Sequence, residues 1–234
     1  MYIGLDLGTS GLKAVVIDAD QVIVAEAQAP LTSTRPQAGW SQQDPADWIA
    51  AAQAVMAALS AQTPLDAVRG IGLSGHMHGA TLIDAAGDVL MPCLLWNDTR
   101  AATQAAVMDA DPAFRNITGN IVFAGFTAPK VGWVSTHHPD IFARIDKVLL
   151  PKDYLRFWLT GDDVSEMSDA AGTSWLDTAK RDWSDDLLAK TGLTRAQMPR
   201  LVEGSQASGT LRDSLAAMWG LPKGVIIAGG GGDN

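Results

Sequence analysis

Asp6-Leu7-Gly8-Thr9-Ser10-Gly11, with Lys13 two residues further on, lies between two short apolar runs, residues 2–7 and 12–17. Two runs of that length joined by a Gly/Thr/Ser turn predict antiparallel strands. A third run, 22–27, follows Asp18-Ala19-Asp20 and extends the meander. The turn also suits an anion. Glycines let backbone N–H groups approach closely, and hydroxyls add donors. Gly8, Thr9 and Ser10 are therefore candidate phosphate-binding residues, with Lys13 adding positive charge. A carboxylate beside a phosphate repels it unless a metal stands between them. Asp6 is thus a candidate ligand for Mg²⁺ or its waters. An ordinary hairpin accounts for the same residues without any ligand.

Beyond the meander, Asp44 and Pro45 open a helix as cap and first helical residue, and Asp47 complements its dipole. Trp48, Ile49, Ala52, Val55, Met56 and Leu59 then recur at helical spacing. Residues 68–73 read as a buried strand. Residues 81–84 and 89–90 flank Ala85-Ala86-Gly87-Asp88 as a hairpin. From Thr99 the pattern is mostly helical, with helices over 127–136 and 139–145, a short strand at 148–150, and a helix from Ser184 to Gly192. Thr194 and Gln197 make a capping-box pattern. Residues 225–228 form a last strand that feeds Gly229–Gly232, Asp233 and Asn234. Strand-strand-strand-helix-strand order predicts an α/β domain on a mixed five-stranded sheet, elaborated over about 99–205.

Three further features carry chemistry. Asp233, at the end of four glycines, is a carboxylate on a side-chain-free loop, able to take a proton from a hydroxyl. His76, Met77 and His78 follow the 68–73 strand. Two histidines at i, i+2 on extended chain face opposite ways, and no third ligand stands at a metal spacing, so a hydrogen bond from His78 to a polyol or a structural histidine fits better than metal. Among the tryptophans, Trp40, Trp96 and Trp175 adjoin polar or glycine-containing loops and could line a pocket, whereas Trp133 and Trp158 sit on helical patterns typical of a core.

The chain has 234 residues, 47% hydrophobic and 18% charged, which suits one elaborated α/β domain with a sizeable core. Twenty-six acidic against 17 basic residues give a formal net charge of −9, which disfavours nucleic acid as a partner. The single cysteine, Cys93, cannot form an internal disulfide and reads as a small core residue. No stretch of ~18 uncharged apolar residues predicts a membrane span, and the N-terminus lacks a signal-peptide pattern. A cytoplasmic location without a membrane partner is the expectation.

Taken together, the 6–13 turn, the 125–137 helix with Lys130 and Trp133, and the 229–234 segment resemble, in order, the signatures of the FGGY family of carbohydrate kinases. That family belongs to the ribonuclease-H-like actin/hexokinase/Hsp70 superfamily. Met77-His78-Gly79-Ala80-Thr81, Leu95-Trp96-Asn97-Asp98 with Arg100, Leu149-Leu150-Pro151-Lys152-Asp153-Tyr154-Leu155, and Ser168-Asp169-Ala170-Ala171-Gly172-Thr173 are most similar to its xylulokinase branch. His76 departs from that branch, which often has Gln there. The resemblance implies ATP and Mg²⁺ as cofactors and a ketose as substrate. It makes Asp233 the general base, and Met77, His78, Asp233 and Asn234 the sugar contacts. Asp6 would place Mg²⁺ with Asp233 near it, and Gly8, Thr9, Ser10 and Lys13 would face the transferring phosphoryl group. It further implies that residues 1–234 are the N-terminal, sugar-binding domain of a longer kinase whose nucleotide-binding domain lies elsewhere. Such a half would be inactive by itself, and the 225–228 end could support a homodimer. A family kinase for ribulose, rhamnulose or gluconate, a non-catalytic sugar-binding fragment, and a nucleotide-gated scaffold remain the alternatives.

Overall fold

The computed structural model describes residues 1–233. Its main sheet contains β1 (Tyr2–Gly8), β2 (Gly11–Ile17), β3 (Ile23–Pro30), β4 (Gly70–Gly75), β5 (Ala207–Thr210), β6 (Ile226–Ala228) and β7 (Gly231–Gly232). The order is β5-β6-β4-β1-β2-β3, with β7 also pairing on β4. β1, β4 and β6 run parallel, and β2 and β3 complete an antiparallel meander. The five expected strands form a contiguous run, β6-β4-β1-β2-β3, that ends at one edge of this sheet, but it has seven strands rather than five. The two extra ones escape sequence reading because Ala207-Ser208-Gly209-Thr210 is not an apolar alternation and Gly231-Gly232 has no side chains at all.

Period-two alternation decides what each face carries. Ile3, Leu5, Leu7, Leu12, Ala14, Val16, Ile71 and Leu73 point into the core beneath α1 (Pro45–Gln62). Asp6 and Lys13 point the other way, directly opposite each other in the β1–β2 register, and both are exposed. The helix forms as its sequence dictates. The Asp44 carboxylate accepts from the Ala46 amide at 2.9 Å, Pro45 fills the first turn, and Trp48, Ala51, Ala52, Val55, Met56 and Leu59 are buried. Each large apolar side chain sealed in this way contributes roughly 1.5–3 kcal/mol.

A second core lies beside the sheet. It is built around Phe114, Val131, Trp133, Val134, Trp175, Trp183 and Leu187, and reaches back to Ala80, Leu82 and Leu94. Its helices include α2 (Thr127–His137) and α4 (Met167–Ala171), while α3 (Pro151–Thr160) and α5 (Asp213–Trp219) pack into the first core. This region also contains short strand pairs, such as Val164–Glu166 with Arg200–Val202, so it is less purely helical than its sequence suggests. The Ala85–Asp88 turn forms as expected, with Asp84 accepting from the Ala86 and Asp88 amides at 3.0 and 3.1 Å. The Thr194–Gln197 capping box also forms.

Candidate active site

β1, β4 and β7 end at the same edge of the sheet, and the candidate residues gather there. The parallel registers place Asp6 beside Ser74 and Ser74 beside Gly231. Two strand spacings put Asp6 and Gly231 ~10 Å apart. Gly8 and Gly11 close the hairpin as a pair, leaving Thr9 and Ser10 at its tip. The tip is held from outside. Gln43 Nε2 donates to the Thr9 carbonyl at 2.7 Å, and Trp96 Nε1 donates to Thr9 Oγ1 at 3.1 Å. Lys13 and Asp6 line one depression of about 410 Å³ with Ser74 and Gly230. Neither makes an ion pair among the described residues.

A cleft of about 630 Å³ opens on the other side of the β4 end, lined by Met77, His78, Trp96, Phe123, Phe126 and Ser168 among others. His78 has φ +63°, a left-handed backbone that a non-glycine residue adopts only under constraint. The constraint comes from α2. Thr127 Oγ1 and Lys130 Nζ both donate to the His78 carbonyl, at 3.2 and 2.8 Å, and Lys130 also donates to the Gly125 carbonyl at 2.5 Å. Phe126 packs edge-on against the imidazole with centroids 4.7 Å apart. Gly172 lies under the ring so closely that a Cβ there would be 2.3 Å from His78 Cε1. Burial, reinforced by the charge of Lys130, holds the His78 pKa down at about 4. Burial likewise lowers Lys130 to about 7. His78 is therefore a neutral imidazole at pH 7, able to donate through one nitrogen and accept through the other, as a polyol contact requires.

Trp96 is 42% exposed at the mouth of this cleft. Its loop is fixed by a buried pair, in which Arg100 Nη2 donates to Asp98 at 2.7 Å, Asp98 accepts from the Ser41 amide at 2.6 Å, and the guanidinium lies 3.7 Å from the Trp40 ring. Trp40 thus packs against Arg100 and Trp133 rather than lining the cleft. Trp175 is fully buried and donates to Thr191 Oγ1 at 2.9 Å, so the expectation of a pocket role fails for both. Cys93 is buried and its thiol pushed up to about 12, a core residue as expected.

The Gly229–Gly232 loop brings Asp233 to the same edge. The Asp233 amide donates to the Gly75 carbonyl at 3.1 Å, and the Gly232 amide donates to Ser168 Oγ at 3.4 Å. Ser168 lines the sugar-sized cleft, so the base candidate and the His78 cleft share a wall. Asp233 is exposed. Asn234 lies outside the described residues. Among those residues no three His, Cys, Asp or Glu side chains gather as a metal-ligand cluster. A hydrated Mg²⁺ held by one or two carboxylates and by phosphate oxygens needs no such cluster, and the exposed Asp6 beside the donor-rich turn fits that chemistry.

Sequence reading missed the buried charges beneath the cleft. Lys152 Nζ lies 3.0 Å from Asp153, 3.4 Å from Glu166 and 3.3 Å from Asp169, and Arg156 Nη1 donates to Asp153 at 2.6 Å. Burial and the neighbouring Asp153 and Glu166 carboxylates push Asp169 well above the usual carboxylate range, against the pull of Lys152. The only available signal was charge inside α3, where Lys152 and Arg156 flank apolar residues.

His76, by contrast, faces the core. It is 3% exposed and edge-on to Trp48. Burial, followed by the charge of Lys130, lowers its pKa to about 3. A depressed folded pKa means that the unfolded chain takes up the proton first, so stability is complete above ~6.5 and falls as the pH drops toward 3. The loss from His76 between pH 6.5 and 5 is expected to be ~2 kcal/mol, at ~1.4 kcal/mol per pH unit. Denaturant unfolding of wild type and His76→Gln at pH 7 and pH 5 checks this. The variant should lose distinctly less stability on acidification, with the His78 contribution remaining. An equal loss in both proteins refutes it.

A hairpin tip facing a cleft, a meander-helix-strand order, and an acid on a glycine loop at the same sheet edge define an α/β domain of the actin/hexokinase type. The chain belongs to the FGGY family of carbohydrate kinases, whose N-terminal-domain model matches residues 1–234. Over its whole length it is 51% identical to the xylulose kinase of Klebsiella pneumoniae, covering 48% of that protein. It is also 51% identical to the xylulose kinase of Escherichia coli (strain K12) across 99% of the chain and 48% of the relative. The crystal structure of a "xyloylose kinase from Brucella ovis" superposes with TM-score 0.98 at 63% identity, covering all of this chain and 49% of that one. The glycerol kinase of Plasmodium falciparum, solved with ADP, matches at TM-score 0.90 and 19% identity, which shows the shared fold alone. The chain spans about half the length of the curated relatives it matches. No helix among the described residues is long and apolar enough to cross a membrane.

Proposed function

We propose that this chain is the sugar-binding half of an ATP-dependent kinase that converts D-xylulose into D-xylulose 5-phosphate. The observation that carries the reading is the shared wall. Ser168 contacts the loop bearing Asp233 and also lines the cleft containing Met77 and His78. Support for the particular sugar comes from relatives that are xylulose kinases at 51% identity over essentially the whole chain.

Each residue then has a task. Met77, Trp96 and the Phe123/Phe126 pair present apolar surface to the carbon skeleton, and neutral His78 exchanges hydrogen bonds with its hydroxyls. Asp233 accepts the proton of the attacking hydroxyl, and Asn234 is assigned beside it as a sugar contact. The Thr9–Ser10 tip, with Gly8 and Lys13, orients the phosphate chain and balances its charge. Asp6, with Asp233 nearby, would hold Mg²⁺ directly or through water. When bound, ATP supplies the phosphoryl group and Mg²⁺ neutralises charge on it. Catalysis of such a transfer is chiefly positioning and electrostatics, which is what these residues can provide. The adenine site belongs to the other half of the longer protein, so this half has no activity alone.

ADP release by the full-length protein with ATP, Mg²⁺ and a panel of D-xylulose, ribulose, rhamnulose, gluconate and glycerol tests the reading. D-xylulose is expected to give the highest kcat/KM. Preference for another panel member would replace the substrate and keep the kinase. No turnover with any sugar would leave only a binding role.

A further inference from the structure

We propose that Arg156 is a positioning residue for Asp233, acting through the glycine loop; the inference rests on the reading of Asp233 as the base. Arg156 lies on α3 and is fully buried. Its guanidinium spans three acceptors on separate elements. Nη1 donates to Asp153 at 2.6 Å and to the Val164 carbonyl at 2.5 Å, and Nη2 donates to the Gly229 carbonyl. Gly229 precedes Asp233 by four residues, all the intervening ones glycine. A segment without side chains is held by its backbone hydrogen bonds and by the close approach of its backbone to its neighbours, so each backbone acceptor counts.

The same charge cluster reaches the far end of the loop. Lys152, which shares Asp153 with Arg156, lies 3.4 Å from Glu166. Glu166 accepts from Ser168 Oγ at 2.8 Å, and Ser168 Oγ accepts from the Gly232 amide at 3.4 Å. One buried network therefore fastens the loop at Gly229 and at Gly232, on either side of its left-handed residue Gly230. Stability is a weak reason for burying these charges, because apolar residues of similar volume often serve a core equally well. What an apolar side chain cannot do is donate to the Gly229 carbonyl. The planar fork of arginine fixes all three acceptors in one geometry, which a lysine ammonium does not reproduce. A displacement of ~1 Å at a reacting group can cost ~10²-fold in rate.

The test uses the full-length protein and three variants. Arg156→Lys keeps the charge for Asp153 but cannot reach Asp153, Val164 and Gly229 together. Asp153→Leu/Arg156→Met removes the ion pair as a unit, so no lone charge is left buried. Both are expected to lower kcat by ~10–100-fold, with KM for sugar and for ATP within ~3-fold of wild type and a cooperative unfolding transition retained. A purely structural residue would lower the unfolding midpoint and leave kcat per folded molecule unchanged, and that result in both variants overturns the proposal. So does failure of both to fold, which would make Arg156 a stability residue. Asp233→Asn separates the two readings. Full activity in Asp233→Asn removes the base assignment and this proposal with it. Loss of activity there, with wild-type kcat in both Arg156 variants, removes the positioning role alone.

Discussion

Asp233→Asn in the full-length protein is expected to lower kcat for sugar phosphorylation by ~10²–10⁴-fold, the range over which a positioned general base acts. The change is nearly isosteric. The amide still hydrogen-bonds to a sugar hydroxyl but cannot take its proton, so KM for the sugar should stay within ~5-fold. The fold should be indifferent, because Asp233 is exposed and pairs with no basic side chain among the described residues. Its backbone tie, the amide donating to the Gly75 carbonyl, survives the substitution. A loss of kcat at constant KM and constant thermal midpoint is the pattern of an interaction made only in the transition state. A rise in KM with kcat preserved would instead make Asp233 a sugar-binding group. Activity within ~3-fold of wild type on both parameters would show that the proton leaves by another route.

How much of this could be read from the chain depends on the distance over which each determinant acts. The sheet was legible because its determinants are local. Alternating residues in 2–7 and 12–17 put Asp6 and Lys13 on one face whatever else the chain does. The first helix was legible from Asp44, Pro45 and the spacing of Trp48 to Leu59. The glycine loop was visible as composition, and Met77-His78 as a segment leaving a strand. What could not be read were contacts between residues far apart. Trp96 reaches Thr9 across 87 positions, Lys130 reaches the His78 carbonyl across 52, and Arg156 reaches Gly229 across 73. The one local hint at Arg156 is its place between Leu155 and Phe157, and nothing near it in the chain points to Gly229 as its partner. Trp175 shows the reverse error. It adjoins Gly172 and Ser174, which suggested a pocket, but its indole N–H finds Thr191 inside the second core. Local polarity predicts exposure poorly once a single hydroxyl can satisfy a buried ring.

Gly230→Ala is expected to cost both stability and activity, in contrast to Asp233→Asn. Gly230 has φ +77°, where a non-glycine residue pays ~1–2 kcal/mol. A Cβ on this backbone would lie 2.0 Å from the Leu73 carbonyl oxygen and 2.9 Å from its carbon. Those atoms belong to β4, which is hydrogen-bonded on both sides, so the loop must move instead. Adding the strain of overpacking gives ~2–5 kcal/mol in total. The loop has little freedom to move, because the Gly230 carbonyl itself leaves no room for a side chain at Gly204, where a Cβ would lie 2.4 Å away. Displacing it carries Asp233 away from Gly75 and Gly232 away from Ser168, so kcat should fall by ~10² or more although the carboxylate is still present. Gly231→Ala is the matched control. A Cβ there meets nothing within 4 Å, so the unfolding midpoint should change by no more than ~1 kcal/mol equivalent. If Gly230→Ala keeps a wild-type midpoint and kcat while Gly231→Ala behaves the same way, the close approach of the loop to β4 is not what holds the base. If Gly230→Ala alone loses both, the four glycines are explained by contact with their neighbours, and flexibility is not needed to account for them.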